Sequence, residues 1–226
     1  MSVCRCDHAW ASYFHDSHGT LASRIFCLKD SYDQHAAFPI VPTRDLAEGS
    51  QEGFACAYRM RPRTHRGQPK LCEFKPLFRW SLDSYQKSHD QSQNLTASTM
   101  PTEPKSAQLS ILGRQEKRSR GFKATLRPYG VWARAVLGHT VMWQRAQHDN
   151  RTKARPVMPV CYGGGFATTR EAVQQIAPET WRAIAESMER ADNIEESHYM
   201  ERTWAALLAP PTTSSEESAI QCTPLF

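Results

Sequence analysis

The chain has 226 residues, with 28 Lys or Arg against 23 Asp or Glu and a formal net charge of +5; a folded chain of that length buries roughly 70–75% of its accessible surface. Hydrophobic residues at 40%, charged residues at 23% and 9 Phe, 7 Tyr and 6 Trp exclude collagen, coiled coil and wholesale disorder, and a mean hydropathy of −0.60 excludes a membrane-embedded chain. Charge is uneven: residues 101–160 hold 12 Lys/Arg against 3 Asp/Glu (+9) and residues 161–226 hold 4 against 10 (−6), so a basic middle can pair with the acidic end or meet the phosphates of a nucleotide, nucleic acid or lipid surface.

In chain order, Met1 to Leu28 is interrupted by His8, His15, Asp16, His18 and Arg24 and shows no signal-peptide pattern, and no run in the chain approaches the roughly 18 apolar residues of a membrane span. Cys4, Cys6, Asp7 and His8 are metal-ligating types, but their spacing, with no second pair at finger distance, is poor geometry for tetrahedral zinc. The other cysteines, Cys27, Cys56, Cys72, Cys161 and Cys222, lack paired spacing as well, so reduced thiols are expected. Arg24 to Leu28 reads as a buried strand opening into a polar loop, Lys29 to His35, closed by Pro39 and Pro42. Asp30 and Asp33, with His35 nearby, stand at the carboxyl end of that strand, where α/β proteins place metal and phosphate ligands; aspartates satisfying turn backbone are the plainer alternative.

Leu71 to Tyr85 has enough aromatics to be packed. Residues 86–122 turn to Ser, Gln, Thr, Lys and Arg without periodicity, the composition of a disordered basic insertion. Tyr129 to Trp143 spaces Val131, Ala135, Val136 and Leu137 for a helix that Gly138 weakens. Val157 to Tyr162 is strand-like and enters Gly163-Gly164-Gly165-Phe166-Ala167; three glycines allow either a tight bend or the close approach of a ligand, and both nucleotide-binding glycine fingerprints are missing. Thr168 to Glu171 fits a capping box, so a helix should start near 169 and end before Pro178, which suits the first turn of the next one. That next helix buries a stripe of Trp181, Ile184, Ala185 and Met188. After a break at Asp192-Asn193, Glu195 to Leu208 forms the last helix, with Met200, Trp204, Leu207 and Leu208 inward; Pro210 and Pro211 end it before a disordered tail at 211–226. The organisation expected is a 1–85 N-terminal α/β part, the 86–122 insertion and a 123–210 C-terminal part of the same domain.

On the last helix Glu195, His198 and Arg202 share a rim opposite Trp204, with Glu201 beside them, which is a usable general-base constellation. The alternative is a solvated charged face whose first-turn carboxylates, Glu195 and Glu196, answer the helix dipole. No paired nucleophile and base of a serine or cysteine hydrolase is visible from spacing.

Tyr162 to Glu171, then Trp181 and Ile184, then Asn193 to Leu207 together resemble the end of a family of domains of unknown function with a glycosyltransferase-like pattern, in which a glycine-rich strand precedes a helix and an "N-EE-H-ER-WA" helix. Arg24 to His35 resembles that family's early "FL-x-D…H" strand more loosely. A wider similarity is to sugar transferases of the A-type nucleotide-sugar fold. It implies that Gly163, Gly164, Gly165 and Phe166 face the acceptor with Arg202 on the substrate side. It also implies that Glu195 or Glu196 is the base, beside His198 and Glu201, and that Asp30 and Asp33 hold a divalent metal, Mn or Mg, although their spacing is not D-x-D. The fold implied is α/β, a mixed sheet with a C-terminal helical pair, shortened at its N-terminus because about 23 residues precede the first strand. The function implied is transfer of a sugar from a nucleotide donor to a hydroxyl acceptor, if the carboxylates converge on one cleft. The alternative is a non-catalytic module meeting anionic partners, nucleic acid not expected among them, through Arg114, Lys117, Arg118, Arg120, Lys123 and Arg127; a degenerate fragment is a third reading.

Overall fold

A computed structural model of the protein describes residues 6–29, 40–57, 70–73, 77–82, 122–138, 157–161, 165–190 and 194–210. The expected disordered insertion, apart from Phe122, and the expected tail, the Asp30–Asp33 loop and Tyr162–Gly164 lie outside them. Among the described residues the order is α1 (Cys6–Asp16), β1 (Arg24–Cys27), α2 (Thr43–Gly49), β2 (Phe54–Cys56), β3 (Lys70–Glu73), α3 (Tyr129–Leu137), β4 (Val157–Val160), β5 (Phe166–Thr169), α4 (Arg170–Gln174), α5 (Pro178–Ser187) and α6 (Glu195–Leu208). Helices and strands mix, as expected, but every strand pairing described is antiparallel: a three-stranded sheet in the order β1-β5-β2 and a two-stranded ribbon β3-β4. The expectation of a mixed sheet is corrected to that extent. No helix among the described residues is long and apolar enough to cross a membrane.

Alternation along the three-stranded sheet builds two cores. Phe54 and Cys56, Phe166 and Thr168, and Ile25 and Cys27 are paired across the strands and buried on one face, while Ala55, Ala57 and Ala167 close the other against Val41 and Leu46 of the α2 region. The first face meets α1, α5 and α6 through aromatic rings: Phe166 packs on Trp204 with centroids 4.9 Å apart, Phe14 on Trp181 at 5.1 Å, and Trp10 on Phe166 at 5.4 Å. Asp7 accepts from the Trp204 indole at 2.8 Å, which satisfies a buried donor and ties α1 to α6.

The C-terminal helices follow their sequence signals closely. In α5 Trp181, Ile184 and Ala185 are buried, with Met188 just beyond its end, while Glu179, Arg182, Glu186 and Glu189 are exposed, and Pro178 opens the helix. The α4 cap is displaced by one residue from the capping-box reading. Thr169 Oγ1 accepts from Ala172 N at 3.2 Å, because Thr168 is buried in the sheet and its hydroxyl donates to Gly53 O at 2.8 Å. Helix α3 stops at Leu137, short of the expected Trp143, where Gly138 takes φ +58°. Gly130, inside α3, lies against the Phe78 ring, and a β-carbon there would collide with it. Cys56 and Cys161 form a disulfide between β2 and the end of β4, which corrects the expectation of reduced thiols at that pair.

Candidate functional site

The charged face of α6 is not solvated. Glu195 is fully buried, Glu196 and His198 nearly so, and the helix is covered over its first turns by segments 77–82 and 122–127. Burying these groups is tolerable only if each finds partners. Glu195 Oε1 accepts from Tyr199 Oη at 2.6 Å and from Leu82 N at 2.7 Å; Oε2 accepts from Ala124 N at 2.8 Å and is 3.0 Å from Arg127 Nε. Burial first, and then the Glu195 carboxylate, push the Tyr199 hydroxyl up, so that it stays a proton donor. Glu196 is gripped by Arg190 Nη2, 3.2 and 3.0 Å from its two oxygens, and the same nitrogen donates to Lys123 O at 3.0 Å. Both expected base candidates therefore have their oxygens engaged by donors within the fold.

One turn further along, His198 Nδ1 is 3.6 Å from Glu201 Oε2. Their side chains are 8% and 17% exposed, so the His198 ring is buried about as deeply as Glu196, and Glu201 is the most exposed of the three carboxylates of α6. Burial opposes ionisation of Glu201 but is outweighed by the hydrogen bond from His198 and by the charges of Arg202 and Lys29, which together hold the carboxyl down to about 2. Arg202 donates to His198 O at 2.9 Å and lays its guanidinium 4.0 Å from the centroid of Trp80, and the Phe122 ring is 5.8 Å from His198. Lys29 follows the end of β1 by two residues and immediately precedes Asp30, so the chain just beyond β1 lies within electrostatic reach of Glu201.

The other expected site residues fall elsewhere. Phe166, expected at the acceptor, is fully buried in the aromatic core, stacked on Phe54 at 5.3 Å, so its ring faces protein and not a ligand. Gly165 is buried, and its carbonyl accepts from Ala57 N at 2.9 Å, a bend at the sheet margin. Gly163, Gly164, Asp30 and Asp33 lie outside the described residues. Among the described residues no three His, Cys, Asp or Glu side chains lie close enough together to hold a metal ion; His198 and Glu201 offer two donors. Burial first, and then Asp7 and Cys6, push the Cys27 thiol well up, which makes it a poor nucleophile. Trp80, Phe122 and Lys29, which flank the pair, escaped the sequence reading because nothing local in their segments marks them as neighbours of α6. Set against family models, curated proteins and solved structures, the chain matches none of them.

Proposed function

We propose that the protein is a glycosyltransferase-like α/β domain that moves a sugar from a nucleotide donor to a hydroxyl acceptor, with the His198–Glu201 pair taking the acceptor's proton. The observation that carries the reading is the placement along α6: one turn beyond the fully buried Glu195, an imidazole meets an ionised carboxylate at 3.6 Å, and that carboxylate, Glu201, is the most exposed of the three on the helix. A carboxylate held ionised beside Nδ1 stabilises the imidazolium that forms once the ring has accepted a proton. Arg202 and Lys29 add positive charge on the same side, where a diphosphate leaving group would gain from it. The divalent metal that the resemblance implies would be held by Asp30 and Asp33 and would offset that leaving charge when bound. The binding-module alternative is weakened by Arg127, one of its six cations, whose charge is paired with Glu195 at 3.0 Å.

The test is a thermal unfolding scan of the full chain with manganese and a panel of nucleotide sugars, followed by product analysis with hydroxyl acceptors. A ligand at about 100 times its Kd adds roughly 2.7 kcal/mol of stability, and His198→Ala should cut transfer by about 10²–10⁴-fold without abolishing donor binding. A cooperative transition that no nucleotide sugar moves, with no transfer product, refutes the reading and turns it toward the binding module.

A further inference from the structure

Glu195 lies where two chain segments meet over α6. Leu82, at the end of one described segment, and Ala124, near the start of the next, donate their backbone N–H groups to opposite oxygens of this single carboxylate, at 2.7 and 2.8 Å. Each segment carries, two residues before the clasped amide, an aromatic ring that walls the site: Trp80 under the Arg202 guanidinium at 4.0 Å and Phe122 against His198 at 5.8 Å. A carboxylate has room for about four donors; Tyr199 supplies a third hydrogen bond, and the Arg127 guanidinium stands 3.0 Å away as the ion-pair partner. Apolar side chains of the same volume would cover α6 at no desolvation cost, but they could not fix two backbone amides by direction and distance.

We infer that Glu195 is a positioning residue: by clasping the amides of Leu82 and Ala124 it sets Trp80 beneath Arg202 and Phe122 against His198, and so fixes the enclosure and aim of the His198–Glu201 pair. Its catalytic meaning rests on the proposed function; its geometry does not. Glu195→Gln is the informative variant, because its amide NH2 must face one N–H donor that the carboxylate accepted.

The experiment is NMR on the full chain. In the unmodified protein the amides of Leu82 and Ala124 should exchange about tenfold or more slowly than unprotected amides, as charge-assisted hydrogen bonds require. In E195Q at least one of them should lose that protection and the His198 ring resonances should move, while the Trp181 and Trp204 indole signals stay in place. Tyr199→Phe removes a donor but leaves both clasped amides, so it should leave the His198 signals where they are. Unprotected exchange of both amides in the unmodified chain overturns the inference even if E195Q fails to fold. So does an E195Q variant with unmoved His198 signals, or a Y199F variant that moves them as far. An intact clasp in a protein that transfers no sugar refutes the proposed function alone.

Discussion

The two halves of α6 are equally buried and are held by different physics. Its C-terminal half presents Trp204, Ala205, Ala206, Leu207 and Leu208 to a core of rings and aliphatic chains; its N-terminal half presents Glu195, Glu196, His198 and Tyr199 to backbone amides, arginines and Trp80. Apolar burial is non-directional and tolerates modest rearrangement. Polar burial demands particular partners at particular angles, and is expensive when one is missing. A helix built this way anchors the fold through packing at one end and through directed polar contacts at the other.

The contrast can be broken most severely at the apolar end. Trp204→Ala should cost about 3–5 kcal/mol, from the lost ring packing and the cavity left behind, read as a fall in the urea midpoint at unchanged slope. At the polar end Glu195→Ala should cost a comparable ~3–5 kcal/mol by removing one partner of a buried ion pair. The two differ in kind: Glu195→Ala should bring local exposure of the 77–82 and 122–127 segments, visible as protease cleavage there, whereas Trp204→Ala should loosen α1 as well, through the lost bond to Asp7.

Acid sharpens the same comparison. Glu201 is held down to about 2 against an ordinary 4.5, so between those values the unfolded chain binds more protons than the folded one. Its stabilisation is complete above about pH 4.5 and is lost as pH falls toward 2, a contribution of at most about 3 kcal/mol. Glu201→Gln should flatten that part of the stability–pH curve, which equilibrium unfolding from pH 7 to 2 would measure. The smallest expected effect is at Glu196, which is itself buried but whose partner Arg190 is about one-third exposed: Gln keeps an acceptor oxygen for Arg190, so Glu196→Gln should cost only ~1 kcal/mol or less, and raising salt should shrink the difference between it and the unmodified chain.

The fold was legible where periodicity and punctuation were strong. The stripe of α5, the proline at its start, the limits of α6, and β1 and β4 all stood in the local pattern. Helix α1 was missed because its inward positions are Asp7, Ala11 and Phe14, a stripe with a carboxylate at its head that does not read as apolar. Strand β2 has three residues, buried on both faces, too few to show a period. At the site, spacing alone placed Glu195, His198 and Arg202 on one rim, and that rim exists. Spacing could not show that it is covered.

What the amino-acid sequence determined by itself was the set of local elements in the C-terminal third and the face on which α6 gathers its charges, because helix period and caps act within a few residues. Only the tertiary structure decided which of those charges is locked inside the fold and which stands at its edge. Glu195 finds its amide partners 113 and 71 residues away in sequence, Phe166 turns inward because the rings of Trp10 and Trp204 arrive from the two ends of the chain, and His198 meets Phe122 only because a distant segment folds over α6. Burial is a property of what arrives from elsewhere, and no local pattern carries it.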